Sequence, residues 1–223
     1  MRLKCLASGS SGNCYLLDGE SECLVIEQGM PMRLVKILLD FDVRRIVGGV
    51  QSHKHKDHSA YEKEYIKNGV PLFRPHKAPD LRLVEKFGSF TIQAFQVIHD
   101  ANCFGFLIRH PECGPIVFAT DTEYVPVTFR KIKPETLMLE CSYQSKYLPE
   151  GEVKNDRQFK THMEEQTMIR CVKANMTDAL KHVILLHPSA GACDQKEVVQ
   201  NVKAVVGETV TVEFAREGLT VEL

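Results

Sequence analysis

The sequence predicts an α+β fold in which two β-sheets pack together with helices outside them. Three observations carry that expectation. Short apolar runs, alternating or continuous, recur along both halves of the chain. Two helical stretches in the second half are marked by start and stop residues, and chemically active side chains recur where apolar runs end. No low-complexity linker or change of composition divides the 223 residues, so residues 1–223 read as one domain, long enough to bury a sizeable core.

Residues 2–7, about 14–18 and 22–27 read as short strands. Between the first two lies Ser8-Gly9-Ser10-Ser11-Gly12-Asn13, a tight polar loop. It lacks the Gly-Lys-Ser/Thr ending of a phosphate-binding loop, and its small residues instead let backbone approach a site closely. A helix fits residues 31–40, with Pro31 at an allowed opening position and Leu34, Ile37, Leu38 and Phe41 as its buried stripe. Ile46-Val47-Gly48-Gly49-Val50 is the next strand, followed by a polar stretch and a short helix near 59–68 that stops at Gly69. Residues 89–98 and 103–109 read as strands flanking His99-Asp100. Ile116-Val117-Phe118-Ala119 is a buried strand ending in Thr120-Asp121-Thr122, and Leu137-Met138-Leu139-Glu140 is another that ends on an acid. Thr161-His162-Met163-Glu164 has capping-box spacing and opens a helix. Val183-Ile184-Leu185-Leu186 is a buried strand running into His187. Asp194 and Glu197 open the last helix, with Val198, Val199, Val202, Val205 and Val206 on one face and Gly207 as the stop. Val210, Val212 and Phe214 alternate, Arg216-Glu217-Gly218 turns, and Leu219, Val221 and Leu223 alternate again.

Apolar residues make up 43% of the chain and charged residues 26%, an ordinary globular composition. The formal charge of −1 provides no global attraction to nucleic acid or acidic membranes, so any basic footprint must be local. No apolar run approaches the ~20 residues of a membrane span, and the first residues are too quickly polar for a secretory signal. A cytoplasmic location without membrane partners is expected. None of the eight cysteines forms a C-x-x-C pair; they read as structural thiols rather than a zinc knuckle or a disulfide framework.

The most informative stretch is His53-Lys54-His55-Lys56-Asp57-His58. Residues two apart in an extended segment point the same way, so His53 and His55 can converge on one ion while Asp57 and His58 face a neighbouring position. Imidazole and carboxylate are natural zinc ligands. His99, Asp121 and His187 are the further candidates, because each follows a predicted strand and loops at one edge of a sandwich assemble a shared site. His76, His110 and His182 match no motif and read as surface or structural residues.

H-x-H-x-D-H followed by spaced His, Asp and His resembles the signature of the metallo-β-lactamase superfamily, over roughly Leu3 to His187. The resemblance implies a four-layer αββα sandwich and two divalent metal ions. His53, His55 and His99 would hold the first, Asp57, His58 and His187 the second, and Asp121 would bridge. Zinc is the default metal, and manganese or iron suits the same ligands. Leu6-Ala7-Ser8-Gly9-Ser10-Ser11-Gly12-Asn13, His99-Asp100-Ala101, Ala119-Thr120-Asp121-Thr122 and the strand ending in Glu140 resemble the YycJ-type (WalJ/VicX) branch, related to ribonucleases Z and J. His162 falls where these relatives carry an extra histidine at a helix start, which implies help in phosphodiester cleavage. There are departures. Glu27-Gln28 stands where many members have an aspartate, and Met163-Glu164 and Pro188-Ser189 stand where relatives often place Leu-Ser after the two late histidines. The β-CASP domain of the ribonuclease J group has no room here, and no long RNA-binding arm protrudes.

Two cations sharing Asp121 would share a water, lower its pKa towards neutrality and polarise a phosphoryl or carbonyl oxygen. Asp57 would orient the nucleophile as well as bind metal, and Glu140 suits equally the support of a histidine from behind or pairing with a nearby lysine. His162 suits donation to the leaving oxygen or holding the anion, although the dipole of the predicted helix disfavours its protonated form. It also suits a polar first-turn position with no catalytic role. Lys54 and Lys56 suit either an anionic substrate or plain solvent exposure; Tyr143 and Phe104 suit base stacking or, more often, a core. The expectation is a dinuclear metal-dependent hydrolase, a phosphodiesterase or exonuclease whose partner is nucleic acid or a small phosphodiester. The alternatives are a lactonase or glyoxalase-type thioester hydrolase using the same hydroxide, and a non-enzymatic metal-dependent regulatory protein.

Overall fold

Period-two alternation along the strands sorts the apolar residues into layers. The computed structural model describes residues 1–78, 83–147 and 161–223. Among them β1 (Arg2–Ala7), β2 (Cys14–Asp18), β3 (Cys23–Ile26), β4 (Ile46–Val50), β5 (Leu72–Phe73) and β13 (Thr220–Glu222) form one sheet, in the order β13-β1-β2-β3-β4-β5. The second sheet holds β6 (Val84–Phe87), β7 (Phe90–Val97), β8 (Cys103–His110), β9 (Cys113–Ala119), β10 (Thr136–Glu140), β11 (His182–Leu186) and β12 (Thr211–Phe214), in the order β12-β11-β10-β9-β8-β7-β6. Leu3, Tyr15, Leu17, Leu24 and Ile26 of the first sheet share a core with Phe90, Ile92, Phe106, Phe118 and Ile184 of the second.

Their neighbours along each strand turn outward. Cys14, Leu16 and Val25 pack with Met32 and Val35 of α1 (Met32–Leu38) and Tyr65 of α3 (Glu62–Lys67). Val117, Leu139, Val183 and Leu185 pack with Met168 and Val172 of α4 (Glu165–Asn175) and Val198 and Val202 of α5 (Gln195–Val206). The result is the expected four-layer αββα sandwich. The eight cysteines are all free, and burial pushes the thiols of Cys5, Cys14 and Cys23 up to about 12, which keeps them inert. Among the described residues no helix is long and apolar enough to cross a membrane.

Three elements differ from expectation. Leu34 and Leu38 of the expected stripe are half-buried against the outer core. The buried residues of α1 are Met32 and Val35, with Leu39 beside them, whereas Ile37 and Phe41 are 58% and 71% exposed. Both sets have helical spacing, and packing on the outer face of the first sheet selects the former. The left-handed backbone of Asp40 and Phe41 (φ 48° and 64°) then ends the helix. The expected helix near 59–68 is two pieces, α2 (Lys56–Ser59) and α3, with Gly69 (φ 84°) just beyond the latter as foreseen. The third difference concerns α4, which starts at Glu165 rather than beside Thr161. Its cap is Glu164, whose carboxylate accepts from the backbone N–H of Gln166 and Thr167, so His162 stands outside the helix. The α5 start is as expected, with Asp194 accepting from the N–H of Lys196 and Glu197.

Asp18, at the end of β2, is nearly inaccessible and lies 2.7 Å from Lys4, 3.1 Å from Arg2 and 2.6 Å from Arg45. Burial opposes its charge, but the hydrogen bonds and fields of Lys4 and Arg45 outweigh that and hold its pKa below the usual carboxylate range. Asp18→Asn strands three cations and is expected to cost about 2–3 kcal/mol at pH 7. The folded-state pKa lies below the unfolded value of roughly 4, so the stabilisation is complete above that value and fades as pH falls through the lower one. Urea unfolding across pH should show wild type and variant converging in acid and parted at neutrality.

Candidate metal centre

Parallel strands deliver the polar residues to one edge of the sandwich. In the second sheet β9, β10 and β11 run parallel, so the side chains at their C-terminal ends, Asp121, Glu140 and His187, arrive side by side. In the first sheet β3 and β4 are parallel and bring Glu27 and then His53 to the same edge. His99 follows β7, and Asp57 and His58 sit on α2, with His55 as its N-cap.

Three groups of side chains have ligand atoms close enough to hold an ion: His53, His55, His99 and Asp121; Asp57, His58, Asp121 and His187; and Asp121, Glu140, His162 and His187. All seven expected ligands fall within the first two, in the grouping the resemblance implies. Nδ1 of His55 lies 3.3 Å from Nε2 of His99, and Nε2 of His53 lies 3.8 Å from Oδ2 of Asp121. The other oxygen of Asp121, Oδ1, lies 3.2 Å from Nε2 of His58 and 3.8 Å from Nε2 of His187. Asp121 thus turns one oxygen to each group. Oδ2 of Asp57 is 3.1 Å from Nε2 of His58 and 3.4 Å from Nε2 of His187.

The inward atoms are fixed by what the outward ones touch. Nδ1 of His53 lies 2.9 Å from the Ser52 hydroxyl, and Nδ1 of His99 donates to the Thr161 carbonyl at 3.0 Å. Nδ1 of His58 faces Glu27 at 3.5 Å, and Nδ1 of His187 faces Glu140 at 3.5 Å. Glu140 serves more than the one histidine foreseen: Oε1 is also 2.5 Å from Nδ1 of His162, while Oε2 accepts from the N–H of Thr122 and of Met163.

The donor set fits divalent cations. Nε2 of His53 is buried without a hydrogen-bond partner, and the facing nitrogens of His55 and His99 need a cation or proton between them. Burial holds the pKa of His53 down to about 2 and that of His99 below the ordinary value, leaving neutral imidazoles of the kind metals take. Burial also opposes charge on His58 and His187, but the carboxylates around them prevail. Asp121 and Glu27 raise His58 well above its usual value; Asp121, Asp57 and Glu140 bring His187 up to about 10. The pKa of Asp57 is below the usual range because its bonds to His187 and His58 outweigh burial. Carboxylates thus favour positive charge at His58 and His187, the same charge that a bound cation would supply.

The opening loop braces this centre. The Ser8 hydroxyl accepts from the N–H of His187 at 3.0 Å and from the Tyr15 hydroxyl at 2.7 Å. Asn13 donates its N–H to the Asp57 carbonyl at 2.7 Å, and its amide nitrogen lies 3.1 Å from Nε2 of His58. Gly29 has no alternative, since a Cβ there would meet the Asp57 carbonyl at 1.8 Å. Sequence reasoning foresaw close backbone approach but not Asn13, Gly29 or Ser52. It also assigned no role to Asp100, whose Oδ1 is 3.1 Å from Nε2 of His99 and 3.6 Å from Nε2 of His55; adjacency to His99 was its only signal. Lys54 and Lys56 are exposed at the rim, whereas Tyr143 and Phe104 are buried and unsuited to stacking a base. His76, His110 and His182 lie outside the three groups. Beside His162 and His187, whose rings are parallel and 5.3 Å apart, a cavity of about 390 Å³ is lined also by Ser10 and Ser189.

No protein-family model matches the chain. The exodeoxyribonuclease YycJ of Bacillus anthracis is 24% identical over 142 residues, a match covering 54% of this chain and 54% of the relative. The chain thus spans about half the length of the curated relative it matches. Among solved structures, the metallo-β-lactamase fold protein YhfI from Bacillus subtilis superposes with a TM-score of 0.75 at 17% identity, covering 100% of this chain and 99% of that one. Human tRNase Z, short form, gives 0.64 at 13% identity, with 100% and 99% covered. A diphosphatase of the PhnP family gives 0.67 at 15% identity, with 100% and 97% covered. The fold is that of the metallo-β-lactamases.

Zinc added to metal-free protein at about a hundred times its dissociation constant is expected to stabilise it by about 2.7 kcal/mol, which raises the melting temperature of a chain this size by roughly 5–10 °C. Asp121→Ala, which removes a ligand from both groups, should abolish most of that rise in a thermal melt and lower bound zinc measured by atomic emission.

Proposed function

We propose that the chain is a dinuclear metal-dependent phosphodiesterase of the YycJ branch, an exonuclease on DNA or RNA. His53, His55 and His99 would hold one ion and Asp57, His58 and His187 the other, with Asp121 shared between the two groups. Zinc is favoured by the histidine-rich set, with manganese or iron compatible. When bound, the ions supply an activated water and charge stabilisation at the phosphoryl oxygens. The remaining chemistry belongs to side chains.

The observation that carries this reading is the hydrogen bond of 2.5 Å between Glu140 and Nδ1 of His162. It fixes Nδ1 as the donor towards Glu140 and leaves the opposite nitrogen for a ligand in the adjoining cavity. An alkoxide leaving a phosphodiester needs a proton, and a thiolate leaving a thioester needs it much less. Burial disfavours protonated His162, but Glu140 outweighs burial and raises its pKa, the reverse of the helix-dipole effect expected from the sequence. His162 lies outside α4, whose first free amides are taken by Glu164, so the dipole has little hold on it. Asp57, kept anionic and tied at its backbone to Asn13, would accept a hydrogen bond from the attacking water. The likeness to a curated exodeoxyribonuclease supports nucleic acid as the substrate class.

The test is hydrolysis of 5′-labelled DNA and RNA strands by zinc- or manganese-loaded protein, beside Asp121→Ala. Stepwise cleavage by wild type alone is expected. His162→Ala should slow strand cleavage by about 10²–10⁴-fold. It should change bis(p-nitrophenyl) phosphate turnover far less, because p-nitrophenolate departs without a proton. Equal losses on both substrates would reduce His162 to a structural role. Turnover of a lactone or thioester in the absence of any phosphodiester cleavage would replace the reading with carbonyl hydrolysis.

A further inference from the structure

The connection that carries Asp121 continues past the metal centre along the outer face of the molecule. Thr122 anchors its near end: its hydroxyl accepts from the N–H of Ile98 at 3.1 Å and donates to the Tyr124 carbonyl at 2.7 Å. Asn175, in the last turn of α4, anchors the far end by accepting from the N–H of Phe129 at 2.5 Å and from the Thr128 hydroxyl at 3.3 Å. Between the two anchors the segment and α4 enclose a groove of about 420 Å³, with Glu123 and Tyr124 on one wall and Thr167, Arg170 and Ala174 on the other. Both walls begin within a few residues of the candidate centre, one after Asp121 and one after His162.

Charge and shape along this groove agree. Arg170 and Lys173 on α4, and Arg130 and Lys131 where the opposite segment ends, are all exposed. Among the described residues none of the four has an acidic partner; the guanidinium of Arg170 bonds the Thr167 hydroxyl at 2.7 Å. Their neighbours Lys133 and Lys181 are, by contrast, paired with Asp178 and Glu135. Of the four cations Arg170 lines the groove itself, with one acid, Glu123, in the same lining. Lys173 stands next to Ala174 of the lining, and Arg130 and Lys131 follow the Phe129 that Asn175 ties to α4. Tyr124 is 44% exposed beside them, unlike the buried Tyr143. A chain of net charge −1 therefore has one cation and an exposed aromatic ring in this groove, with three more exposed cations beside its far end. Unpaired cations with an exposed ring are what single-stranded nucleic acid requires, phosphates for the charges and a base for the ring.

We propose that this groove holds the part of a single nucleic-acid strand that lies beyond the scissile phosphate. Arg170 and Lys173 contact successive phosphates, Tyr124 stacks a base, and Arg130 and Lys131 extend the contact at the far end. From Thr167 to Ala174 the helix rises about 10 Å, the length of about three stacked nucleotides. The assignment rests on the phosphodiesterase reading, and its consequence is a preference for long single strands over dinucleotides or small esters.

The test measures binding of a 12-nucleotide phosphorothioate strand, DNA or RNA, to metal-loaded full-length protein across salt concentrations, alongside turnover of bis(p-nitrophenyl) phosphate. Arg170→Glu with Lys173→Glu is expected to weaken strand binding tenfold or more and to flatten the salt slope by about 1.4, the share of two phosphates on a single strand. Tyr124→Ala should weaken binding about tenfold with the slope unchanged. Small-ester turnover should stay within twofold in both variants, which also reports that they fold. Strand affinity and slope unaltered by these substitutions would overturn the groove, as would wild type binding neither strand. If the small ester is still cleaved in that case, the phosphodiesterase reading stands without the groove. If wild type cleaves no phosphodiester yet the variants bind the strand more weakly, the groove stands and the catalytic reading falls.

Discussion

Everything at the functional edge depends on burying one carboxylate, Asp121, among imidazoles. A buried carboxylate without compensation is costly, and here the compensation comes from His58 and His187, which reach Asp121 from different elements, and from the Thr120 hydroxyl, which donates to it at 3.0 Å. That convergence requires strand ends of both sheets to meet, which an αββα sandwich with parallel central strands provides. Swapping one apolar residue within the inter-sheet core would alter stability; moving the end of β9 by one residue would turn Asp121 to the opposite face and dissolve both groups at once. The outward atoms form a second constraint. Ser52 bonds His53, the Thr161 carbonyl bonds His99 and Glu140 bonds His162, while Glu27 and Glu140 face His58 and His187 at 3.5 Å, which limits how far the rings can turn to relieve the crowding inside.

The sandwich was legible because strand alternation is a short-range signal that packing rarely overrides. Leu16 and Leu17 are adjacent in sequence and lie in different cores, as period two demands. The metal-type residues were legible for a similar reason: H-x-H-x-D-H concentrates four of them in six positions, and the rest end strongly apolar strands. What escaped was decided by partners distant in sequence. Two stripes of the expected helix have equal helical spacing, and only the surface of the first sheet selects Met32 and Val35 over Ile37 and, beyond the observed end of α1, Phe41. Thr161 and Glu164 satisfy the capping-box pattern, yet Glu164 caps alone, and the shift of three residues removes His162 from the helix. Its protonation then answers to Glu140, 22 positions away, rather than to a dipole. Arg170 and Tyr124 carried no sequence signal, since neither belongs to a motif and their meeting depends on Asn175 tying a loop to a helix.

The backbone records how strongly the site is favoured over relaxed geometry. Glu27, Asp121 and His187 all have left-handed φ, at 63°, 47° and 53°, and all follow strands that end at the centre. A side chain in that conformation costs about 1 kcal/mol or more, and glycine would remove the cost. Glycine cannot replace these three, because each supplies a carboxylate or imidazole and the left-handed turn is what folds it back over the sheet edge. Local hydrogen bonds hold two of the turns: the N–H of Glu27 donates to the Val50 carbonyl at 2.9 Å, and that of His187 to the Ser8 hydroxyl. Strained backbone, a partnerless nitrogen on His53 and two imidazoles face to face therefore coincide at one edge of the sandwich. Such coincidence is expected where a ligand completes the structure: cations binding there would release electrostatic conflict that the polypeptide alone carries, so metal affinity and folding stability at this edge are one free energy measured in two ways.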